Sequence, residues 1–296
     1  MGMRPMNSAP KVSVIIPHYS DLERLDICLD ALRHQSLSSD FEIIVADNGS
    51  PEGPDAVRAV ICERARLVVV SEKGAGPARN GGVGVSTAPI LAFTDSDCVP
   101  EPGWLEAGLE ALERCDFVGG RVCVLVEDLQ RMTGSEAFER VFAFDFKSYI
   151  TRKGFTGAGN LFCRREMFDR VGGFSVGVSE DIEWSHRARS MGYRLAYAPQ
   201  AVVGHPARHN WSALWVKWQR VNIETYGLYR ERQFGELLWL LRSLALPLSA
   251  VVHTPRIFLS DQLTSFEQRG RAVGTLFKLR SWRAWHAISL LAGTRS

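Results

Sequence analysis

The sequence predicts an α/β fold with a mostly parallel central sheet flanked by helices, followed by a helical C-terminal extension. Two observations predict it. In the first hundred residues, short apolar runs alternate with segments of helical periodicity, which is typical of parallel strands joined by crossover helices. Beyond residue 206, apolar and aromatic residues recur at helical spacing. A chain of 296 residues suits one α/β domain with an appended helical part.

The first half contains four apolar runs that read as buried parallel strands. We expect these strands at residues 11–18, 41–47, 66–71 and 89–97. Asp21 is expected to cap the first intervening helix, which extends to about residue 35 and places Leu25 and Leu29 on its buried face. Further helices are expected from the loop at 48–54 to about residue 64, and from Pro77 to Ser86.

The pattern becomes less regular in the second half. We expect a helix ending near residue 115, a central strand at 116–126, and a helical and then looped stretch at 130–153 whose aromatic residues pack in the core. A strand at 161–164, a helix at 165–171, a helix capped by Ser179 and two short strands at 193–198 and 201–204 complete the predicted domain.

Three predicted strands end in polar loops, at residues 17–21, 47–50 and 94–97. Loops that follow parallel strands open on the same side of a sheet, where α/β proteins bind their ligands. Asp95 and Asp97 repel each other unless a cation or hydrogen-bond donors neutralise them. The pair therefore indicates either a divalent-cation site or two solvated turn carboxylates.

The formal net charge of +2 is unevenly distributed. Residues 206–296 contain 13 Lys/Arg and 5 Asp/Glu, a net charge of +8, whereas the preceding residues have a net charge of −6. Such a basic segment favours an anionic partner, and its Trp and Leu content suits a membrane surface better than nucleic acid. No nucleic-acid partner is expected.

The extension contains three apolar patterns. Trp211, Trp215 and Trp218 lie on one helical face. An apolar run of 16 residues, from Leu237 to Val252, falls short of the roughly 20 residues of a transmembrane helix. Apolar residues then recur every three positions beside Lys and Arg, at Leu276, Leu279, Trp282, Trp285 and Ile288. These faces either lie on a membrane or pack against the catalytic body or a second copy of the chain.

The six cysteines are scattered and form no Cys-x-x-Cys pair, so the sequence favours reduced thiols in the cytoplasm over a zinc site or disulfides. Residues 1–10 have no apolar stretch, and we expect a disordered segment rather than a signal peptide. We expect a cytoplasmic protein that lies at the periphery of the inner membrane face if the extension binds lipid.

Six stretches, in this order and spacing, resemble a glycosyltransferase of family 2, which has the GT-A fold of nucleotide-sugar enzymes. They are VSVIIPHY at 12–19, EIIVADNGS at 42–50, GPARNG at 76–81, AFTDSD at 92–97, GAGN at 157–160 and Glu180-Asp181. Ser20 departs from the asparagine that is usual in the first motif. The resemblance covers residues 11–206 and implies a nucleotide-binding half at 11–98, an acceptor-binding half at 99–206 and an extension at 207–296.

The resemblance also implies roles for single residues. Pro17 and Tyr19 would flank the nucleotide base, and Asp47 would accept a hydrogen bond from the base, which favours a UDP-sugar donor. Arg79 would reach the base and phosphates, and Asp95 would face the ribose.

The same resemblance assigns Mn²⁺ or Mg²⁺ to Asp97, with His205 as a further ligand, although a lone histidine is more often structural. The cation would stabilise the departing diphosphate.

Asp181 would be the base that activates a hydroxyl of a saccharide or lipid-linked acceptor, giving a single displacement with inversion. A helix N-terminus weakens such a base, while acidic neighbours and desolvation strengthen it, so the sequence leaves the balance open. Asn160, Glu180 and Trp184 would contact the acceptor. Trp184 is equally consistent with the core, as is Trp104.

Two other functions fit the sequence less well. A sugar-1-phosphate nucleotidyltransferase would need a glycine-rich basic loop after the first strand, which residues 17–21 lack. A non-catalytic nucleotide-sugar-binding protein fits less well because Asp97 and Asp181 are intact. The chain also lacks the Gly-x-Gly-x-x-Gly of dehydrogenases after its first strand. The sequence is compatible with a homo-oligomer as well as with a monomer.

Overall fold

A computed structural model of the chain describes residues 9–37, 40–176 and 179–293. The first eight residues of the segment predicted to be disordered lie outside this part. The chain folds into two compact units. Unit 1 comprises Met1–Cys123 and Asp145–His205, and unit 2 comprises Val124–Phe144 and Pro206–Ser296.

The central feature is a mixed sheet of eight strands in the order β3-β2-β1-β4-β7-β6-β8-β5. The strands are β1 (Val12–His18), β2 (Phe41–Asp47), β3 (Arg66–Val69), β4 (Ile90–Thr94), β5 (Val99–Pro100), β6 (Phe117–Leu125), β7 (Asn160–Arg164) and β8 (Leu195–Pro206). The first four strands are parallel, and β7 pairs antiparallel with both β4 and β6. The predicted α/β class with flanking helices and a helical C-terminal part is confirmed.

Helices cover the sheet and continue into unit 2. They are α1 (Leu22–Arg33), α2 (Pro54–Ile61), α3 (Ala75–Val85), α4 (Trp104–Leu112), α5 (Gly134–Phe142), α6 (Phe146–Ser148), α7 (Arg165–Val171), α8 (Glu180–Ser190), α9 (Trp211–Arg230), α10 (Gly235–Phe258) and α11 (Phe266–Leu291). A π-helix, Tyr149–Lys153, follows α6. As predicted, Asp21 caps α1 by accepting a hydrogen bond from the Arg24 amide, and Leu25 and Leu29 are buried.

The end of unit 1 differs from its prediction. The two short strands expected at 193–198 and 201–204 form one strand, β8, of 12 residues. The sequence also missed β5, which has only two residues and pairs antiparallel with β8 so that Val99 lies opposite Gly204. A two-residue strand has no periodicity to detect, and its pairing is determined by tertiary contact.

Unit 2 has its own apolar core, drawn from α5, α9, α10 and α11. Beside it lies Glu139, which is fully buried. The Glu139 carboxylate accepts hydrogen bonds from the Arg208 guanidinium at 2.9 Å and the Lys217 ammonium at 2.9 Å. Burial alone would raise the pKa of Glu139, but these two cations lower it, so the buried charge is compensated. The pair ties α5 to the chain that enters α9.

Helix α10 is longer than the apolar run suggested. It has 24 residues and a mean hydropathy of 1.4 over its most apolar 18-residue window, 28% of which is buried. By length and composition this helix is able to cross a membrane, whereas the 16-residue apolar run in the sequence predicted a segment too short to do so. The helix continues through Pro247 and Pro255. One such helix is weak evidence for a span, since a core helix can have the same composition.

The three-residue repeat in α11 does not form one face. Leu276 and Leu279 are buried, whereas Trp285 and Ile288 are exposed. An α-helix has 3.6 residues per turn, so a repeat of three rotates steadily around it. The earlier tryptophan face of α9 does pack inside unit 2, where the Trp215 ring lies 5.8 Å from the Trp282 ring.

Gly108 allows α4 to pack closely on β7. A Cβ added at this position would lie 2.4 Å from the Phe162 ring. Gly108→Ala should therefore destabilise the protein by about 1–3 kcal/mol, despite the better helix propensity of alanine. A urea unfolding curve measures this change. Gly84→Ala in α3, where nothing lies within 4 Å, is the control and should gain up to about 1 kcal/mol. Equal effects of the two changes would contradict the packing argument.

Candidate active site

The sheet brings the predicted polar loops together. β1 lies between β2 and β4, and its register places His18 opposite Asp47 at the carboxyl ends of the strands. β4 ends at Thr94, directly before the acidic loop at 95–97. The loops that follow the three adjacent strands thus open at one edge of the sheet, as the sequence predicted.

Asp47 is the buried centre of a small hydrogen-bond network. Its Oδ1 lies 3.0 Å from His18 Nδ1 and accepts a hydrogen bond from the Ser50 hydroxyl, and its Oδ2 accepts one from the Ser50 amide at 3.2 Å. Burial alone would raise the pKa of Asp47, but the bonds from Ser50 and His18 outweigh it and lower the pKa. His18 and Ser50 were not singled out in the sequence, although the register of two adjacent parallel strands could have paired His18 with Asp47.

Asn48 shapes the neighbouring loop. Its side-chain amide donates to the carbonyls of Val70 at 3.1 Å and Glu72 at 2.6 Å, and its oxygen accepts from the Gly74 amide at 2.7 Å. These bonds fold the 70–74 loop towards the end of β2. Tyr19, by contrast, is exposed, and Lys73 Nζ lies 5.5 Å from the centre of its ring. Tyr19 is free to stack on a planar ligand, whereas Pro17 is buried in β1.

Arg79 is buried and bridges two carboxylates. One terminal nitrogen donates to Asp95 Oδ1 at 2.6 Å, and the other donates to Glu180 Oε1 at 3.0 Å. Burial alone would lower the pKa of Arg79, but the charges of Asp95 and Glu180 raise it. The guanidinium therefore stays charged and connects α3, the loop after β4 and the start of α8. Both terminal nitrogens of Arg79 thus donate to protein carboxylates, and the guanidinium is not exposed to solvent.

Asp95 is fixed from two sides. Arg79 holds its Oδ1, and the backbone of Gly159 approaches its Oδ2 so closely that a Cβ at Gly159 would lie only 2.6 Å away. Glycine at position 159 is thus needed for close approach, as expected for a glycine-rich loop at a binding site. The sequence showed the glycine-rich loop but not its partner.

Asp97 meets His205 through the β5–β8 pairing. Because Val99 pairs with Gly204, the residues just before β5 lie beside the end of β8. His205 Nε2 is 3.3 Å from Asp97 Oδ2. The structure therefore brings together the two residues that the sequence proposed as metal ligands, which lie more than one hundred residues apart in the chain.

The donor atoms of this loop suit a hard divalent cation. Ligand atoms of Asp95, Asp97 and Cys98 lie within 4.8 Å of one another. Burial, with the charges of Asp95 and Asp97, raises the pKa of the Cys98 thiol well above its usual value, and sulfur is a soft ligand that hard cations disfavour. Carboxylate oxygens and an imidazole nitrogen remain, and they fit Mn²⁺ or Mg²⁺ better than a thiophilic metal.

Asp181 lies in the first turn of α8, next to the Arg79–Glu180 ion pair. Its Oδ1 accepts hydrogen bonds from the Ile182 amide at 2.8 Å and the Ser179 hydroxyl at 3.3 Å. Burial and the adjacent Glu180 charge raise the pKa of Asp181, and the opposing effect of Arg79 is smaller. The opposing effects on Asp181 therefore sum to a raised pKa, and a carboxylate with a raised pKa takes up a proton more readily.

Two of the three residues predicted to contact the acceptor are internal. Asn160 is fully buried, and its side chain accepts from Trp104 Nε1 at 2.9 Å and donates to the Ala201 carbonyl at 2.9 Å. Trp184 is also fully buried and donates to the Gly172 carbonyl at 2.9 Å. Their burial favours packing roles for Trp184, Trp104 and Asn160. Glu180 is partly exposed beside Arg79.

Comparison with known proteins identifies the family. The sequence model of the family described as "Glycosyl transferase family 2" matches residues 13–182. The chain belongs to glycosyltransferase family 2. The matched residues include the strand-end loops of this site and extend to Asp181. The protein is therefore a glycosyltransferase.

Two curated relatives illustrate the similarity. Glycosyltransferase AglE of Haloferax volcanii is 33% identical over 214 residues, which cover 68% of this chain and 69% of the relative. Pre-mycofactocin glycosyltransferase of Mycobacterium tuberculosis is 31% identical over 218 residues, covering 67% of this chain but only 43% of the relative.

A solved structure confirms the GT-A fold of this glycosyltransferase. The mannosyltransferase PcManGT from Pyrobaculum calidifontis, in complex with GDP-Man and Mn²⁺, matches with a TM-score of 0.62. The match covers 97% of this chain and 89% of the other, at 20% sequence identity.

The bridge at Arg79 makes a prediction for this glycosyltransferase. An ammonium on a shorter side chain cannot contact Asp95 and Glu180 with two separate nitrogens, so Arg79→Lys should destabilise the protein by about 1–2 kcal/mol in urea unfolding. Arg24→Lys, at the exposed ion pair with Asp21, should change stability by less than about 0.5 kcal/mol. If both variants unfold at the wild-type midpoint, the bridge does not stabilise the site.

Proposed function

We propose that this family 2 glycosyltransferase transfers a sugar from a nucleoside-diphosphate donor to an acceptor hydroxyl, by a metal-assisted single displacement with inversion. The observation that carries the proposal is the convergence of Asp95, Asp97, His205 and Asp181 around the carboxyl end of β4. Residues 11–98 would bind the nucleotide and residues 99–206 the acceptor.

The donor side of the site supports a nucleotide. Exposed Tyr19 offers a face for the base, with Lys73 alongside as a cation. Asp47 stays charged and can only accept hydrogen bonds, which suits the N–H of uracil. In this structure the Asp47 carboxylate already bonds to His18 and Ser50, so a nucleotide base would compete with these two side chains for it. Asp95, with one oxygen held by Arg79, would face the ribose.

We propose UDP-sugar as the donor, as the role of Asp47 suggests. A GDP-sugar is the second candidate, because guanine also presents N–H donors and the structural neighbour PcManGT is bound to GDP-Man. The carboxylate alone does not distinguish the two bases.

Asp97 and His205 would hold the divalent cation, and the Mn²⁺ in the structural neighbour is consistent with that role. When bound, such a cation supplies positive charge to the departing diphosphate. Arg79 would act from within the protein, because its bridge keeps Asp95 and Glu180 in place while the donor binds.

Asp181 is the proposed base. Its raised pKa makes it better able to take the proton of the acceptor hydroxyl as the bond to the sugar forms. Partly exposed Glu180 beside it would contact the acceptor. The acceptor class, a saccharide or a lipid-linked molecule, follows from the family resemblance alone. A cytoplasmic location, with unit 2 on an anionic membrane or against a second copy, is part of the same proposal.

Asp181→Asn tests the base. The variant should lose at least about 10²-fold in kcat and bind donor as the wild type does. Because the pKa of folded Asp181 is raised, its charge disfavours the folded state at neutral pH, so the variant should be at least as stable as the wild type there. This difference should disappear as pH falls below the ordinary aspartate range, where both states are protonated. Retained activity would remove Asp181 from the mechanism.

The pH profile of the wild type provides a second measurement. A base must be unprotonated, so kcat/KM should fall on the acidic side with a pKa above that of an ordinary aspartate. An acidic limb in the ordinary aspartate range would contradict the raised pKa.

The metal and donor are tested together by thermal shift with UDP-sugars and GDP-sugars, with and without Mn²⁺. The wild type should be stabilised by one nucleotide class in a Mn²⁺-dependent manner. Asp97→Ala should lose the Mn²⁺ dependence, whereas Cys98→Ala, the matched change at the neighbouring residue, should keep it. Loss of the dependence in Cys98→Ala alone would overturn the ligand assignment. Stabilisation by GDP-sugars alone would show that the donor is a GDP-sugar and not a UDP-sugar.

A further inference from the structure

Three arginines of unit 2 lie on α10 and α11, two helices joined by the hydrogen bond from Trp239 Nε1 to the Ala287 carbonyl. Arg283 of α11 is buried, and Arg280 of the same helix and Arg242 of α10 are partly buried. In the part of the chain that the structure describes, no carboxylate forms an ion pair with any of these three guanidinium groups. Arginines that are removed from water are normally paired with an anion.

Arg283 and Arg242 contact neutral groups. Arg283 Nε donates to Asn222 Oδ1 at 3.0 Å, and its guanidinium lies 4.1 Å from the centre of the Trp218 ring. Arg242 lies 5.0 Å from the ring of Trp239. Ring faces and an amide oxygen attract cations but have no net charge. Within the described residues, no negative charge therefore offsets these three guanidinium groups.

Two buried donors, one on Arg242 and one on a ring that contacts Arg283, have no hydrogen-bond partner. One terminal nitrogen of Arg242 is buried and has no hydrogen-bond partner. The same holds for the indole nitrogen of Trp218, whose ring contacts Arg283. A buried donor without an acceptor is costly, and a ligand oxygen would satisfy it.

The electrostatic effect of the cluster is consistent with this geometry. Burial, together with the positive charges of Arg242 and Arg280, lowers the pKa of Arg283 to about 9. Burial, and to a smaller extent the positive charge of Arg242, also lowers the pKa of Arg280. The three groups are thus close enough to repel one another.

We propose that Arg242, Arg280 and Arg283 form a binding site for a phosphate or diphosphate group in unit 2. Planar guanidinium groups match the oxygens of a phosphate with paired hydrogen bonds. A phosphate also has the charge needed to offset several arginines. The site lies outside the strand-end loops, and its test does not depend on the proposed transfer reaction.

The surface around Arg242 favours a lipid headgroup as the source of this phosphate. Leu238 and Leu241 lie within one turn of Arg242 on α10, and both are exposed. Further exposed apolar residues continue along the same helix, at Leu244, Leu248, Val251 and Val252. A headgroup phosphate at the arginines would place acyl chains beside such a surface. A free phosphate compound would use the same three arginines without needing the apolar residues.

The test uses the full chain with EDTA present, so that no metal-dependent binding at the carboxylates contributes. Co-sedimentation is measured with vesicles of phosphatidylcholine alone and of phosphatidylcholine with phosphatidic acid, and thermal shift is measured with inorganic pyrophosphate. Arg242→Gln and Arg280→Gln should each weaken binding at least about tenfold. Arg220→Gln removes the same charge from an exposed position on α9 and should bind as the wild type does.

The outcomes separate the sources. Binding to phosphatidic acid vesicles that needs the arginines supports a lipid phosphate, whereas pyrophosphate stabilisation without vesicle binding supports a free phosphate compound. Equal losses in Arg220→Gln and Arg280→Gln, or no loss in Arg280→Gln, would overturn the site in favour of diffuse charge or none. Absence of both vesicle and pyrophosphate binding in the wild type would overturn it as well.

A melting-temperature measurement shows whether a loss of binding in Arg280→Gln comes from a less stable fold. Removing one of three repelling charges should leave the melting temperature of Arg280→Gln in phosphate-free buffer equal to or above that of the wild type. A clearly lower melting temperature would mean that Arg280 stabilises the fold through a protein partner, and would contradict the proposal.

Discussion

The bridge from Arg79 to Asp95 and Glu180 is the interaction on which the site depends. It joins residues 79, 95 and 180, which come from three different elements, through one guanidinium removed from solvent. Without it, two carboxylates beside the end of β4 would face each other and Asp181 with no fixed positive charge. The bridge also moderates Asp181: Arg79 opposes the rise in its pKa without reversing it.

The sequence predicted the parallel half of the fold well, because its strands are apolar on both faces and end in polar loops. β2 begins and ends at the predicted residues, and β1 and β4 differ only at their ends. The later half was harder to predict. Strand β5 is too short to have a pattern, and the two strands expected before His205 form one strand, β8, that runs through residues 199–200.

For the site, the sequence indicated which residue types gather at the sheet edge but not how they contact one another. Asp97 and His205 lie together as expected, yet only the β5–β8 pairing explains why. Burial also could not be inferred from the motifs. Asn160 fits a binding loop by its neighbours in sequence, but its amide is directed into the core, where it joins Trp104 to Ala201. Contacts of this kind depend on packing between elements distant in sequence, which a single sequence does not encode locally.

The acidic loop rests on two thiols. Cys28 donates to the Asp95 carbonyl, Cys98 follows Asp97, and burial raises the pKa of both. Because thiolates are the reactive form of cysteine, burial and a raised pKa make both sulfurs less reactive towards peroxides and disulfides. Cys62, which is exposed at the end of α2, is more accessible to such reagents. The loop that carries Asp95 and Asp97 thus packs against thiols that the fold shields from such reagents.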